Sequence, residues 1–198
     1  MFFIGNLCKT RQNGIVCIRY NVNFVKNFST MEKRTEELKQ QAISLGLCAE
    51  WQGRWNRDVD IRTLTDMMFE GINFCMKHHW PDTEVIASRL PQDFRRAHAI
   101  VANDTYSLIN PKKALITGDS SSNIRFNGIA SGNVYIRDTS KVTITAKGRA
   151  RVFVRAYENA EIAAESGENA HIVIIKCSPT VSVKQAGNVI VREPKETD

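Results

Sequence analysis

The 198-residue sequence lacks a long hydrophobic run, a metal-ligating cysteine pattern and a charge of one sign spread along its length. No apolar segment approaches the roughly 20 residues that a membrane-spanning helix needs, so we expect no membrane partner. The five cysteines form no CxxC pair and no cysteine–histidine ligand spacing, so we expect no metal and no cofactor. Scattered cysteines are typical of small buried side chains in a reducing compartment, and we expect a cytoplasmic protein.

The net charge of +6 is concentrated in the first thirty residues. Residues 1–30 hold four of the 27 basic residues and no acidic one, which leaves 23 basic and 21 acidic residues in the rest of the chain. This near balance gives no broad basic surface for a polyanion. Fifteen of these thirty residues are Phe, Ile, Asn, Lys or Tyr, the residues encoded by A/T-rich codons. We interpret 1–30 as a non-native or disordered leader that precedes a natural start at Met31, with an organelle-targeting presequence as the alternative.

Residues 31–97 follow a helical period and are predicted to form a small helical cap. Apolar residues recur three or four positions apart from Ile61 to Cys75, and Pro81 ends this helix. His78 and His79 stand at its end. Adjacent helical positions point about 100° apart, so the two imidazoles are poorly placed to share a ligand, and we predict that both lie in solvent.

Residues 98–194 follow a period of two and are predicted to form eight short strands. The strands begin at Ile124, Val134, Val142, Val152, Ile162, Ile172, Val181 and Val189. Polar bends separate them, with asparagines such as Asn133 and Asn159 suited to left-handed corners. A sandwich also accommodates eight strands, but short loops and a repeated phrase favour a parallel β-solenoid. The predicted class is α+β, with about four coils of two strands, handedness left open, and a charged tail over residues 195–198.

The phrases "AYENAEIAA" and "GENAHIVI" resemble the Ala-Tyr-Gly-Asn-Ala-x-Val repeats of short β-solenoid proteins from bacteria and phages. The resemblance covers residues 134–191, and Glu158 replaces the usual glycine. It implies a solenoid architecture and a phage or prophage origin, with a virion-associated location as the alternative to a cytoplasmic one. It implies no activity.

One sheet of the predicted solenoid, called sheet B, has an unusual outer face. Sheet B contains the strands that begin at Val134, Val152, Ile172 and Val189, with the first and third residues of each pointing inward. The predicted binding face is one column of Tyr135, Phe153, Val173 and Ile190 beside a second column of Arg137, Arg155, Ile175 and Arg192. A patch this apolar is seldom left bare. The chain's own helices, a protein partner or identical subunit, and a nucleic acid or anionic glycan are the three candidates to cover it.

An enzyme is the competing class of function. Carbohydrate-active β-helices need carboxylates that project from neighbouring coils, and the predicted register has no acidic outward position. The acids Asp138, Glu158, Glu161, Glu165 and Glu168 are predicted to be solvated at bends or strand edges. We therefore predict no catalytic residue and a non-catalytic binding, scaffold or assembly module for protein–protein contact. A carbohydrate-active or transferase enzyme and a nucleic-acid-interacting protein that uses the Arg column are the alternatives.

Overall fold

A computed structural model describes residues 7–11, 14–18, 35–56 and 59–194. The predicted start at Met31, most of the predicted leader and the predicted tail over 195–198 lie outside these residues. The chain divides into two compact units, residues 1–67 and 68–198. No helix in the described ranges is long and apolar enough to cross a membrane.

The first unit contains a hairpin and helices. Strand β1 (Leu7–Arg11) pairs antiparallel with β2 (Gly14–Ile18). Helix α1 spans 35–44, α2 spans Ala49–Arg54, and α3 spans Ile61–Glu70 and crosses into the second unit. The amide of Thr63 donates to Asp60 Oδ1 at 2.7 Å, which caps the start of α3 and lowers the pKa of that carboxyl.

Three short helices open the second unit. They are α4 (Ile72–Lys77), α5 (Thr83–Arg89) and α6 (Gln92–Ala97). The sequence predicts one helix from Ile61 to the turn before Pro81, but the structure divides it at Gly71 into α3 and α4. Glycine is a poor interior helix residue, because it loses more backbone entropy on ordering than other residues do.

Eleven strands follow, and every ladder that joins them is parallel. Their bounds are β3 Ile100–Ala102, β4 Leu108–Ile109, β5 Lys113–Thr117, β6 Ser121–Phe126, β7 Ser131–Ile136, β8 Lys141–Ala146, β9 Arg151–Ala156, β10 Glu161–Ser166, β11 His171–Lys176, β12 Ser182–Ala186 and β13 Val189–Arg192. Odd-numbered strands from β3 form six-stranded sheet B, and even-numbered strands from β4 form a five-stranded sheet, called sheet A. The predicted α+β class and solenoid of about four coils are confirmed. The full coils run from β5 to β12, between a short first rung (β3, β4) and a final strand, β13.

The solenoid repeats because a six-residue strand alternates with a four-residue turn. Strands β6, β8 and β10 begin at Ser121, Lys141 and Glu161, so one coil takes twenty residues. Alternate residues of each strand point inward and are buried, as the period of two predicts. Because one rung cannot enclose its own aliphatic side chains, each rung depends on its neighbours for burial.

The second residue of several turns adopts a left-handed conformation. Gly128, Asp138, Gly148 and Glu158 have φ values between 57° and 73°. The predicted left-handed asparagine corners are wrong, because Asn133 lies within strand β7 and Asn159 lies in a turn whose left-handed residue is Glu158. The small residue that ends a turn is fully buried at Ser140, Ala150, Ala160 and Ala170 and half-buried at Ala130.

Helices of the second unit cover the first rungs of sheet B. Phe69, Ile72, Cys75, Met76 and Ile86 pack with Ile100, Ala102 and Leu115, and with the half-buried Tyr135 and Tyr157. Burial raises the pKa of the Cys75 thiol to about 12, as expected of a small hydrophobic side chain. Arg95 of α6 donates through Nη1 to the carbonyl oxygen of Ala102 at 2.6 Å, so the helix also satisfies part of the first strand edge. Of the three predicted covers for sheet B, the chain's own helices therefore cover part of this sheet.

The dependence of each rung on its neighbours predicts a large effect of one central truncation. Ile144 is fully buried between Ile124 and Ala164 in the inner column of sheet A. We expect Ile144→Ala to lower the free energy of unfolding by about 2–5 kcal/mol, measured by urea denaturation. The neighbouring outward residue Thr143 is the control, and Thr143→Ala should change it by less than about 0.5 kcal/mol. Equal effects of the two substitutions would contradict the inward–outward assignment.

Candidate functional site

The predicted outer columns of sheet B need a correction of register. Tyr135 pairs with Arg155, and Asn133 pairs with Phe153. One column therefore runs Asn133, Phe153, Val173, Ile190, and the other runs Leu115, Tyr135, Arg155, Ile175, Arg192. The prediction places these strands in the correct sheet but sets β7 two residues out of phase with β9.

Arg137 does not lie on the outer face, contrary to the prediction. It follows β7 at a corner, and its side chain is only 2% exposed. Its Nε donates to Thr117 Oγ1 at 2.7 Å, and its Nη2 donates to the carbonyl oxygen of Pro81 at 2.5 Å. These bonds tie the start of α5 to two solenoid corners.

The remaining predicted residues divide between a covered part and an uncovered part of sheet B. Tyr135 is half-buried under the helices, and burial raises the pKa of its hydroxyl despite the nearby Arg155. Arg155 lies at the margin, where its Nη1 donates to Asn73 Oδ1 of α4 at 3.5 Å. Phe153 and Ile190 are exposed, at 50% and 44%, and Val173 between them is half-buried.

We call the uncovered part the open face. It consists of the outward residues of β9, β11 and β13, with the exception of Arg155 at the margin. These residues are Arg151, Phe153, His171, Val173, Ile175, Ile190 and Arg192. Within these three described strands no outward position is acidic. The open face is thus an apolar strip bordered by guanidinium groups.

Two acids lie at outward strand positions of sheet A, which corrects the prediction that no such position is acidic. Glu161 and Glu165 both point outward from β10. Glu161 pairs with Lys141 of the neighbouring rung at 3.6 Å. Four residues along one strand separate the two carboxylates by about 13 Å, beyond the roughly 5–9.5 Å that glycoside hydrolysis uses. This pair therefore does not form a glycosidase centre.

A second group of polar residues gathers where the turn after α4 meets the corners after β7 and β9. His79, Asp138 and Glu158 all have positive φ values, 49°, 63° and 57°. His79 Nδ1 lies 2.6 Å from Glu158 Oε1, and His79 Nε2 lies 3.3 Å from Asp138 Oδ1. We call these three residues the corner cluster. The prediction that His79, Asp138 and Glu158 are simply solvated is wrong.

Backbone geometry holds the two carboxylates of the corner cluster close together. Because one coil takes twenty residues, Asp138 and Glu158 occupy the same corner on successive coils. The amide of Asp138 donates to Glu158 Oε2 at 2.7 Å, and the amide of Glu158 donates in turn to Ser178 Oγ at 2.8 Å. Each corner is thereby bonded to the next one along the solenoid.

Asp138 is held as a carboxylate by its donors. Burial alone raises its pKa, but donation from Thr117 Oγ1, Thr83 Oγ1 and the amide of Gly118, together with the charge of Arg137, lowers the pKa below its ordinary value. The three donors lie 2.7, 2.8 and 2.5 Å from Oδ2. A side chain on Gly118 has no room, because an added Cβ would lie 2.0 Å from Asn103 Oδ1.

The guanidinium of Arg137 supports the same corner from within. Burial lowers its pKa, and the charges of Asp138 and Glu158 oppose that shift. Arginine remains protonated at such a site, so a buried positive charge compensates part of the negative charge of the corner cluster. Its Nε lies 3.9 Å from Asp138 Oδ2.

Three cysteines have side chains that the structure describes. Cys48 is exposed, Cys75 is buried beneath sheet B, and Cys177 is half-buried at a later corner. All three are free thiols. The prediction of buried cysteines therefore holds for Cys75 and is wrong for Cys48.

Comparison of the chain with protein-family models, with curated proteins and with solved structures gives no match. The architecture defines the class of this protein, which is a parallel β-solenoid with associated helices. The repeat type and the phage or bacterial origin implied by the resemblance stay predictions.

The low pKa of Asp138 predicts a loss of stability in acid. A carboxyl whose folded pKa lies below its unfolded value of about 3.9 stabilises the fold above that pH, and this contribution is lost as the pH falls. We expect Asp138→Asn to lower the urea midpoint at pH 6 and to have a smaller effect at pH 3. Asp119→Asn, at an exposed neighbouring corner, is the matched control. An Asp138→Asn effect of equal size at both pH values would contradict the role assigned to this carboxylate.

Proposed function

We propose that this protein is a non-catalytic binding module that holds a protein partner on the open face. The observation that supports this proposal most directly is the exposure of Phe153 and Ile190, at 50% and 44%, in one column with Val173. The helices that pack on β3, β5 and β7 do not extend over this column within the described part of the chain. Contiguous apolar surface bordered by polar groups is typical of a protein interaction site.

The rigidity of the sheet favours binding. The inward residues of β9 and β11, such as Val152, Val154 and Ile172, are at most 1% exposed. Their outward neighbours are consequently held at fixed spacings by parallel ladders. A preformed surface loses little conformational entropy on association.

The charges of the open face define the chemistry of the partner. Arg151 and Arg192 are exposed, Arg155 borders the strip, and Glu193 beyond β13 is 3.9 Å from Lys176. A partner segment with large apolar residues flanked by aspartate or glutamate would fill the strip and pair with the arginines. Arginine and aromatic residues are also enriched among the side chains that dominate binding energies.

Other occupants fit less well. A second copy that docked its own open face here would bring arginines opposite arginines, with no acid on either open face to separate them. A nucleic acid could stack on Phe153, but the chain after residue 30 is nearly balanced in charge. For the enzyme alternative, the most relevant feature is the corner cluster. It fits less well because both ring nitrogens of His79 already face carboxylates.

The proposal extends to origin and location. The "AYENAEIAA" phrase and its neighbours resemble the solenoid repeats of bacterial and phage proteins. We therefore propose a phage- or prophage-derived scaffold or assembly module that works in the cytoplasm or in association with the virion.

A displayed random peptide library tests the binding face and the chemistry of its ligand together. Selection on the wild-type protein should enrich peptides that combine large apolar residues with Asp or Glu. Their affinity, measured by fluorescence anisotropy, should fall at least about tenfold for the Phe153→Ser, Ile190→Ser double variant, and binding should weaken as salt concentration rises.

The control variant carries two changes on sheet A, Ser121→Ala and Thr143→Ala, and should bind as the wild type does. Circular dichroism and urea midpoints establish that both double variants fold. The proposal is wrong if the selected peptides bind the Phe153/Ile190 variant and the wild type equally. Three other results would also contradict the proposal. They are enrichment of basic peptides, self-association in light scattering that the Phe153/Ile190 variant abolishes, and retention of nucleic acid through Arg151 and Arg192.

A further inference from the structure

The imidazole of His79 is set between two carboxylates, one at each ring nitrogen. Nδ1 lies 2.6 Å from Glu158 Oε1, within hydrogen-bond distance. Nε2 lies 3.3 Å from Asp138 Oδ1. The turn that carries His79 is held by separate contacts, because the carbonyl of Pro81 accepts from Arg137 and Thr83 Oγ1 donates to Asp138.

A neutral imidazole can donate to only one of the two carboxylates. A neutral imidazole has one N–H, and the shorter contact places it on Nδ1, where it donates to Glu158. Nε2 then presents a lone pair to the negative Asp138 Oδ1, and the two acceptors repel each other unless a positive charge lies between them. That charge is either a second proton on the ring or a metal ion.

Asp138 has one oxygen free for such an ion. Its Oδ2 accepts from Thr83, Thr117 and Gly118, whereas Oδ1 faces only the imidazole among the contacts of the described residues. The hydrogen bonds to Oδ2 orient the carboxylate and fix Oδ1 toward His79. Glu158 is oriented in a similar way by the amide of Asp138 at Oε2.

We propose that the corner cluster binds a divalent transition-metal ion of the Zn²⁺ class through His79 Nε2 and Asp138 Oδ1, with Glu158 holding the Nδ1–H. With metal–ligand distances of about 2.0–2.1 Å, a 3.3 Å separation of the two ligand atoms gives an angle of about 105° at the metal, close to tetrahedral. A carboxylate that accepts from the other ring nitrogen is the usual second partner of a metal-bound histidine. Water fills the remaining positions, since His79 and Glu158 are 40% and 38% exposed.

The ligand types select among ions. An imidazole nitrogen beside a carboxylate oxygen suits Zn²⁺, Co²⁺, Ni²⁺ or Cu²⁺, whereas Mg²⁺ and Ca²⁺ prefer all-oxygen sites. The three residues, whose ligand atoms lie within 4.8 Å of one another, come from the turn after α4 and from two successive solenoid corners. A bound ion would therefore join the helical segment to the solenoid, and we expect it to stabilise the fold.

Isothermal titration calorimetry of Zn²⁺ binding to the full chain, in the presence of a non-thiol reductant, tests this assignment. We expect a site of one ion per chain, and Co²⁺ should give the intense visible absorption of tetrahedral coordination. His79→Gln should weaken Zn²⁺ affinity at that site at least about tenfold, and Glu158→Gln should weaken it about 10–100-fold. Zn²⁺ should raise the urea midpoint of the wild type and leave that of His79→Gln unchanged.

His78→Gln is the matched control. The ring of His78 packs on Phe74, with ring centroids 4.6 Å apart, so this variant should bind Zn²⁺ as the wild type does. The proposal is overturned if the wild type gives neither titration heat nor a Co²⁺ spectrum, or if His79→Gln binds Zn²⁺ with unchanged affinity. A His79→Gln effect confined to stability, with no Zn²⁺ site in the wild type, would identify the corner cluster as an imidazolium ion pair and equally overturn the proposal.

Discussion

The structure depends on one constraint: a rung of this solenoid buries its aliphatic side chains only against another rung. The inner column of Ile124, Ile144 and Ala164 illustrates it, because each residue is covered by the one twenty positions away. The first rungs of sheet B gain an additional cover from helices, through Ile72, Met76 and Ile86. Beyond the last rung no further rung follows among the described residues, so its inward Val189 and Val191 stay half-buried. Because the helices cover the outward side of the first rungs only, the outward residues of β9, β11 and β13 form the open face.

The corners explain where the cover stops. Arg137 binds the carbonyl of Pro81, and Asp138 accepts from Thr83, so α5 begins against the corner after β7. Further along the solenoid, Glu158 lies 2.6 Å from His79, and Arg155 donates to Asn73 through a longer contact of 3.5 Å that is exposed to solvent. Beyond it the outward side chains of β11 and β13 meet no helix in the described part of the chain. The same polar corner thus anchors the helices, delimits the proposed interaction surface and contains the proposed metal site.

Much of the fold could be predicted from the sequence because its signals are local. Alternating apolar residues reveal strands, and a half-repeat of ten residues assigns alternate strands to two sheets. Register is harder to predict, because valine recurs at every second position and Val134 fits beside either Val152 or Val154. The small residues that close the turns, Ala150, Ala160 and Ala170, resolve this ambiguity, since only small side chains fit these fully buried positions. Alignment on these residues would have placed Tyr135 beside Arg155.

The corner cluster could not be predicted in this way. His79 is 59 residues from Asp138, and no spacing rule relates the end of a helix to a solenoid corner. The usable signal was a pair of acids, Asp138 and Glu158, twenty residues apart at positions where glycine is the usual residue. The predicted outward position of Arg137 is wrong for a related reason, because β7 ends at Ile136 and the alternation of inward and outward residues does not continue into the turn.

Hydroxyl-radical footprinting tests most directly whether the helices cover the first rungs of sheet B and leave the last ones open. Comparison within a residue type removes differences in intrinsic reactivity. We expect rapid modification of Phe153 and Ile190, and protection of Phe69 and Ile100, which are 8% and 1% exposed. Modification of Phe69 and Ile100 at the rates of Phe153 and Ile190, or protection of Phe153 and Ile190 in the isolated protein, would contradict the account.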